Sequence, residues 1–438
     1  MEQYLKSSSL VGSFGFISNL ITIEKYDSEH KKQIEEILKL NIFNNEYNRR
    51  YNFFEVEILA LAYHEITHFL DFTTTSWGIE YQFRKSNYIK TQEEDKLDVF
   101  RLNYIEITMH DTYKETDLLK NEMKHYLQYD ENIGGMIKMT FSSEGTLNLV
   151  SSINMRCLIE SHAYITEILI KIRCIECEPD ANERKILMIT LEKEFNEFLS
   201  NVEFIEYNML IVLAKKCFKE LSLKELSIFL KTLFLRVLDF GMESLSSFAN
   251  LLDGGYINKE VGAHISQEIR RGHCRHIVAF KMIISIYNFT REELNFKKLK
   301  IQPFELINDF LNQFKIPYFE DKNIHGYFTL LKIFEEKDFN TFDTNLLIES
   351  INKNRPEIKT LYKSRNISDI CLIDMFLNDS FIVKVPNRVD IDISEYSDNE
   401  NILLLDKLVM KEQKRFHLSH GEVIETYKEV FNKKINPI

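Results

Sequence analysis

Glycine and proline are scarce in this chain, with 13 Gly and 6 Pro spread over 438 residues. Those residues punctuate turns, so their scarcity argues against many short strands and favours long helices. Cysteine is scarce too. The six thiols (Cys157, Cys174, Cys177, Cys217, Cys274 and Cys371) are too few for a disulfide-stapled secreted scaffold and fit a reducing compartment. Cys174 and Cys177 form a lone Cys-Ile-Glu-Cys, but no second pair follows at zinc-ribbon spacing and no βαβ pattern surrounds it. Neither zinc-ribbon nor thioredoxin-like chemistry is expected there.

Long apolar runs are missing. No stretch approaches the roughly eighteen uninterrupted apolar residues of a membrane span, and even 276–289 carries Lys281 in its middle. Residues 7–23 are mildly apolar, but Ser, Gly and Asn interrupt them and the side chains of Met1 to Lys6 carry no net positive charge. A signal peptide is not expected, and the cytoplasm is the expected location. Positive charge is in deficit, 55 Lys and Arg against 67 Asp and Glu, for a formal net charge of −12. That field repels nucleic acid and anionic membrane, so neither is expected as a generic partner. Arg270, Arg271, His273, Arg275 and His276 flank Gly272 as a local exception. They would suit a phosphate or carboxylate near a helix terminus, although a solvated basic turn is the expected reading.

What is abundant is apolar and charged surface: 44% hydrophobic residues, 33 Phe among them, with 28% charged. This is the composition of a packed globular protein, long enough for two or three domains. Residues 10–24 read as a short hairpin or edge strand, and Asp27 or Ser28 can cap a helix running to about residue 40. From Phe53 to Leu70 (FFEVEILALAYHEITHFL) no Gly or Pro intervenes, and from Val56 the apolar residues surround the axis, which predicts a helix inside a domain. Thr73 to Gly78 reads as a loop carrying Trp77. Extended segments follow at 101–109 and 136–150, the latter a hairpin turning at Ser142 to Gly145, so a small β-sheet is expected.

Helical periodicity resumes at 154–175, 183–200, 203–218 and 223–239. Asp253-Gly254-Gly255 is the clearest break and divides the chain into a domain at 1–253 and a mainly helical C-terminal domain at 256–438. Helices are expected in the latter at 258–271, 274–288, 303–314, 325–335 and 419–432. A strand-like FIVKV at 381–385 precedes an acidic stretch at 390–400 that reads as a solvated loop, since EF-hand spacing is absent.

The chemistry-bearing motif is His64-Glu65-Ile66-Thr67-His68 on the buried helix. Residues four apart on a helix differ by about 40° in direction and about 6 Å in rise, so His64 and His68 point the same way from successive turns. Two imidazoles so placed can share a zinc ion, and catalytic zinc adds a third protein ligand while keeping a position for water. Glu65 then flanks that water as a general base. Leu61, Ala62, Tyr63, Ile66, Thr67, Phe69 and Leu70 around the motif are all uncharged. An acid and two imidazoles in such surroundings cost several kcal/mol unless something satisfies them.

This HEITH in its uncharged frame resembles the active-site helix of the zincin metallopeptidases, and of the gluzincin type in particular. The resemblance covers the motif helix and a second helix, and implies an α+β catalytic domain, a Zn2+ cofactor and a protein or peptide substrate. In gluzincins the third ligand is a glutamate on a later helix; the matching residue is Glu160, which shares a face with Ala163, Tyr164 and Glu167. Tyr164 is the counterpart of the residue that stabilises the oxyanion. The Asn-Glu-x-x-x-x-Asp arrangement of thermolysin-like enzymes is absent, and Asp71 and Thr74 break the metzincin pattern. Asp71, His110, His125 and His162 remain rival ligands. A helical interaction protein with a structural or inactive HExxH site is the alternative to a peptidase. The sequence leaves the oligomeric state open.

Overall fold

The computed structural model describes residues 12–15, 19–40, 42–43, 49–91, 110–114, 116–130, 134–253, 259–318, 342–354, 370–378 and 381–387. The extended segment expected at 101–109, the helices expected at 325–335 and 419–432, and the acidic stretch at 390–400 lie outside them. In chain order the strands are β1 (Ser13–Phe14), β2 (Ile21–Ile23), β3 (His110–Thr112), β4 (Glu122–Asp130), β5 (Gly134–Ser143), β6 (Thr146–Ile153), β7 (Met375–Leu377) and β8 (Ile382–Val383). The helices begin with α1 (Lys31–Leu38), α2 (Phe53–Thr74), α3 (Ser76–Thr91), α4 (Met155–Glu176), α5 (Ala181–Ser200), α6 (Ile205–Cys217) and α7 (Leu223–Leu238). They continue with α8 (Met242–Asp253), α9 (Lys259–Arg270), α10 (Arg275–Phe289), α11 (Glu293–Ile301), α12 (Pro303–Gln313) and α13 (Phe342–Asn354). The fold is mainly α, with two small four-stranded sheets.

The chain forms two compact units. The first takes Met1–Ile79, His162–Asn196 and Tyr327–Lys411; the second takes Glu80–Ser161, Glu197–Gly326 and Glu412–Ile438. In the first, β1 and β2 make the expected hairpin, turning through Asn19 at φ 57°. β2 also pairs in parallel with β7, which folds back into β8 within the FIVKV segment, giving the order β1-β2-β7-β8. The hairpin, α1 and α13 all pack on α2.

Helix α2 is the axis of this unit. Asn52 Oδ1 accepts from Glu55 N at 3.0 Å and Glu55 Oε2 accepts from Asn52 N at 2.9 Å, a reciprocal capping box that fixes its start. Residues 58–69 are then buried without interruption, as an all-round apolar helix requires. Thr67, Thr73 and Thr75 donate their hydroxyls to the carbonyls of Tyr63, Phe69 and Asp71, each at 2.6 Å, which satisfies polar groups in the interior.

The loop expected at 73–78 is a sharp corner instead. α2 runs to Thr74, Thr75 alone is extended, and its hydroxyl receives Gly78 N at 3.1 Å at the start of α3. A Cβ on Gly78 would stand 2.1 Å from Asp71 O and 2.5 Å from Phe72 Cα, so only glycine lets α3 start so close to α2. Trp77 is buried edge-on against Phe72, with ring centroids 4.8 Å apart.

In the second unit the sheet order is β3-β6-β5-β4, antiparallel throughout. β5 and β6 turn at Glu144-Gly145, φ 50° and 78°, the positive values of the hairpin turn expected there. α6 packs on β6, α9 on β4 and β5, and α10 on β5. α7 then packs against α6, α10 and α12. No helix among the described residues is long and apolar enough to cross a membrane.

Candidate metal centre

His64 and His68 leave α2 one turn apart, with ring centroids 5.0 Å from each other and planes at 79°. They are 4% and 3% exposed. Glu160 is carried by α4; the division between the units falls inside this helix, after Ser161, so Glu160 rides on the same unbroken helix as His162 and Glu167. Ligand atoms of His64, His68 and Glu160 all lie within 4.8 Å of one another, the one group of three or more His, Cys, Asp or Glu side chains among the described residues able to hold a metal ion. Two imidazoles and a carboxylate at that spacing form a donor set suited to a divalent transition-metal ion.

Glu65 is buried beside the motif, and a Cβ on Gly12 would approach its Oε1 to 3.0 Å and Leu61 Cδ1 to 2.8 Å. A glycine just before β1 therefore leaves the carboxylate its space. Phe14, on β1, stacks over His68 with centroids 6.2 Å apart.

Behind the imidazoles lies a second polar layer. Glu167 Oε2 is 3.3 Å from His64 Nδ1, and Lys171 Nζ donates to Glu167 Oε1 at 2.6 Å, all three side chains being buried. Burial pushes the Glu167 carboxyl up, but Lys171 and then His64 outweigh it and bring the value down to about 2. The sequence reading placed Glu167 on the face of Glu160 without giving it a role, and Lys171 was missed. Their signal is an i, i+4 acid–lysine pair inside an apolar helix.

Of the rival ligands, Asp71 and His162 meet each other. His162 Nδ1 lies 3.1 and 2.9 Å from the two Asp71 carboxylate oxygens, both residues being buried. His110 is exposed on β3, and His125 lies edge-on to Phe280 on β4, with centroids 4.9 Å apart. None of these four residues belongs to the metal-holding group. Tyr164 stacks on Phe195, centroids 6.2 Å apart and planes at 4°. Burial, then Glu167 and Glu194, raises its hydroxyl well above the ordinary phenol range, so it stays a neutral donor.

Arg156, at the start of α4, was also missed: Nε lies 3.8 Å from Glu160 Oε1, and a terminal nitrogen donates to Glu206 Oε1 at 3.2 Å. The basic turn is solvated at Arg271, as expected, but its Arg275 and His276 are buried. Arg275 is fully buried and donates to the carbonyls of Val237 and Phe240 at 2.9 and 2.7 Å, while His276 Nε2 donates to Gly135 O at 3.1 Å. His273 and Arg271 pair with Glu268 at 2.7 and 3.1 Å. The Cys174 and Cys177 thiols are buried and free, both pushed up, chiefly by burial.

Comparison of the chain with protein-family models, with curated proteins and with solved structures returns no match.

Proposed function

We propose that this chain is a zinc-dependent hydrolase that cleaves peptide bonds, with His64, His68 and Glu160 as ligands and Glu65 as general base. The observation that carries the reading is the convergence of those three ligand atoms within 4.8 Å on two helices. Charge supports it. Around the motif Glu65, Asp71 and Glu167 are buried, as are Glu178, Glu194 and Asp374 elsewhere in the first unit, where Lys171 is the sole buried lysine or arginine among the described residues; Glu160, buried just across the boundary, has Arg156 3.8 Å away. Bound zinc, held by His64, His68 and Glu160, would offset two of those negative charges and would supply Lewis acidity for a carbonyl and for a bound water, whose pKa it would lower towards about 7. Glu65 takes the proton of the attacking water and returns it to the leaving amine. Tyr164, kept neutral, is the donor assigned to the oxyanion. The resemblance of HEITH and of the Glu160 helix to gluzincins favours the same roles.

A second reading has its own observation. His64, Glu65, His68 and Glu160 are 4%, 3%, 3% and 5% exposed, and a site so enclosed suits a structural or inactive metal centre in a helical interaction protein. Glu65→Gln separates the two. The hydrolase reading expects a variant that keeps wild-type metal content and loses at least about a hundredfold in cleavage of a denatured-protein or mixed-peptide substrate. A centre closed by four protein ligands, or equal cleavage by wild type and variant, would overturn it.

A further inference from the structure

We infer that Glu167, anchored by Lys171, is the positioning residue for His64, holding its Nδ1–H so that Nε2 is the nitrogen left for the ion. The inference rests on the metal reading above and adds residues that the motif does not contain. Three observations carry it. Glu167 Oε2 lies 3.3 Å from Nδ1, and because a carboxylate can only accept, a proton shared between the two belongs to that nitrogen. The carboxylate is itself fixed from the far side: Lys171 Nζ donates to Oε1 at 2.6 Å, so the two oxygens serve different partners and the group cannot rotate without breaking one contact. All three side chains are nine-tenths or more buried, at 4%, 3% and 4% exposure for His64, Glu167 and Lys171, so water does not compete for the proton.

The topology explains why this residue serves. Glu160 and Glu167 lie on the same face of α4, two turns apart, so a single rigid helix delivers a ligand to the ion and an acceptor to the back of another ligand. At four residues past Glu160, the nearer position on that face, stands Tyr164, whose ring is committed to Phe195. Lys171, one further turn along, closes the series and keeps Glu167 from becoming an isolated buried anion. Outer partners of this type orient the imidazole and raise its basicity, and their loss typically weakens metal binding by about 10–100-fold.

The test uses the full chain. Glu167→Met/Lys171→Met removes both buried charges with side chains of similar length, whereas Glu167→Gln/Lys171→Met keeps a neutral acceptor at His64. Zinc affinity, measured by competition with a chromophoric chelator, is expected to fall about 10–100-fold in the first variant and less in the second. Imidazole 1H–15N correlation spectra of the zinc-free wild type should show His64 as the Nδ1–H tautomer. The assignment is overturned if that spectrum shows Nε2–H, or if a folded Met/Met variant binds zinc within about twofold of wild type. Should the Met/Met variant fail to fold, the wild-type tautomer decides the matter alone. A wild type that binds no zinc while His64 is Nδ1–H overturns the metal reading and leaves the Glu167 contact standing, so the two failures are told apart.

Discussion

In the second unit Arg275 and His276 end on carbonyls: Arg275, which also lies 3.7 Å from Glu80, on those of Val237 and Phe240 at the end of α7, and His276 on that of Gly135. At the HEITH motif the corresponding groups converge instead, with His64 and His68 on α2 and Glu160 on α4 bringing ligand atoms within 4.8 Å of one another. The residue types overlap, and burial is equally complete. A polar side chain that ends on a fixed backbone acceptor is satisfied by the fold and serves the fold. Side chains that end on each other call for something shared between them. Ligand atoms of two histidines and a carboxylate gathered within 4.8 Å of one another are therefore a stronger sign of a ligand than the larger basic cluster, although the cluster looks more conspicuous in the sequence.

The largest effect is expected at Arg275. Arg275→Met takes the guanidinium donor from two buried carbonyls, leaving Val237 O the long 3.4 Å bond from Phe240 N, and removes the cation beside Glu80; it should cost about 3–5 kcal/mol in urea unfolding, with or without zinc. A loss below about 1 kcal/mol would remove the distinction, because the arginine would then not be serving the fold. Zinc should act on the other unit. Present at about a hundred times its Kd, it should stabilise the wild type by about 2.7 kcal/mol in paired thermal melts with and without chelator, and His64→Ala should abolish that increment. Equal stabilisation of wild type and His64→Ala would place the ion elsewhere.

A smaller effect concerns pH. Burial drives the His276 imidazole down to about 3, against an opposing contribution from its bond to Gly135. The folded state thus binds this proton more weakly than the unfolded chain, so the associated stability is intact above about pH 6.5 and is lost as the pH falls from there towards 3. The limiting slope for one such proton is about 1.4 kcal/mol per pH unit. His276→Gln keeps a donor for Gly135 and removes the titration, so its unfolding free energy should vary less steeply than that of wild type between pH 6.5 and 4. Identical slopes for the two proteins would show that His276 is not the group responsible.

How much of this was legible in the sequence follows from how local each signal is. The uncharged stretch around His64 and His68 dictated a buried helix whatever it packs against, and α2 is such a helix. Glu160 could be matched because it lies on a periodic helix, α4. β4 was missed because its residues are exposed or half-buried and carry no alternation, and β7 was missed because its partner β2 lies on the far side of the whole chain. The corner at Thr75 escaped because Thr-Thr-Thr-Ser-Trp-Gly has loop composition; only the closeness of Gly78 to Asp71 and Phe72 shows why the glycine is there. The basic turn misled for a similar reason. Charge density along the chain says nothing of the carbonyls that α7 leaves open at its end, which is where Arg275 goes.

The finest discrimination comes from two helix caps, where the units should behave alike. Asn52 caps α2 and Ser222 caps α7, each in a reciprocal box with the glutamate three residues on. Removing a cap exposes amide donors in the first turn alone, so Asn52→Ala and Ser222→Ala should each cost about 1 kcal/mol. His64 lies several turns inside α2, where packing on every side holds the helix, so the zinc increment of Asn52→Ala should match that of wild type. Parallel melts of both variants, with zinc and with chelator, measure this directly. If Asn52→Ala alone lost part of the zinc increment, the first turn of α2 would be coupled to the histidines through the helix, and the convergence of His64 and His68 would depend on α2 as a whole rather than on its buried middle.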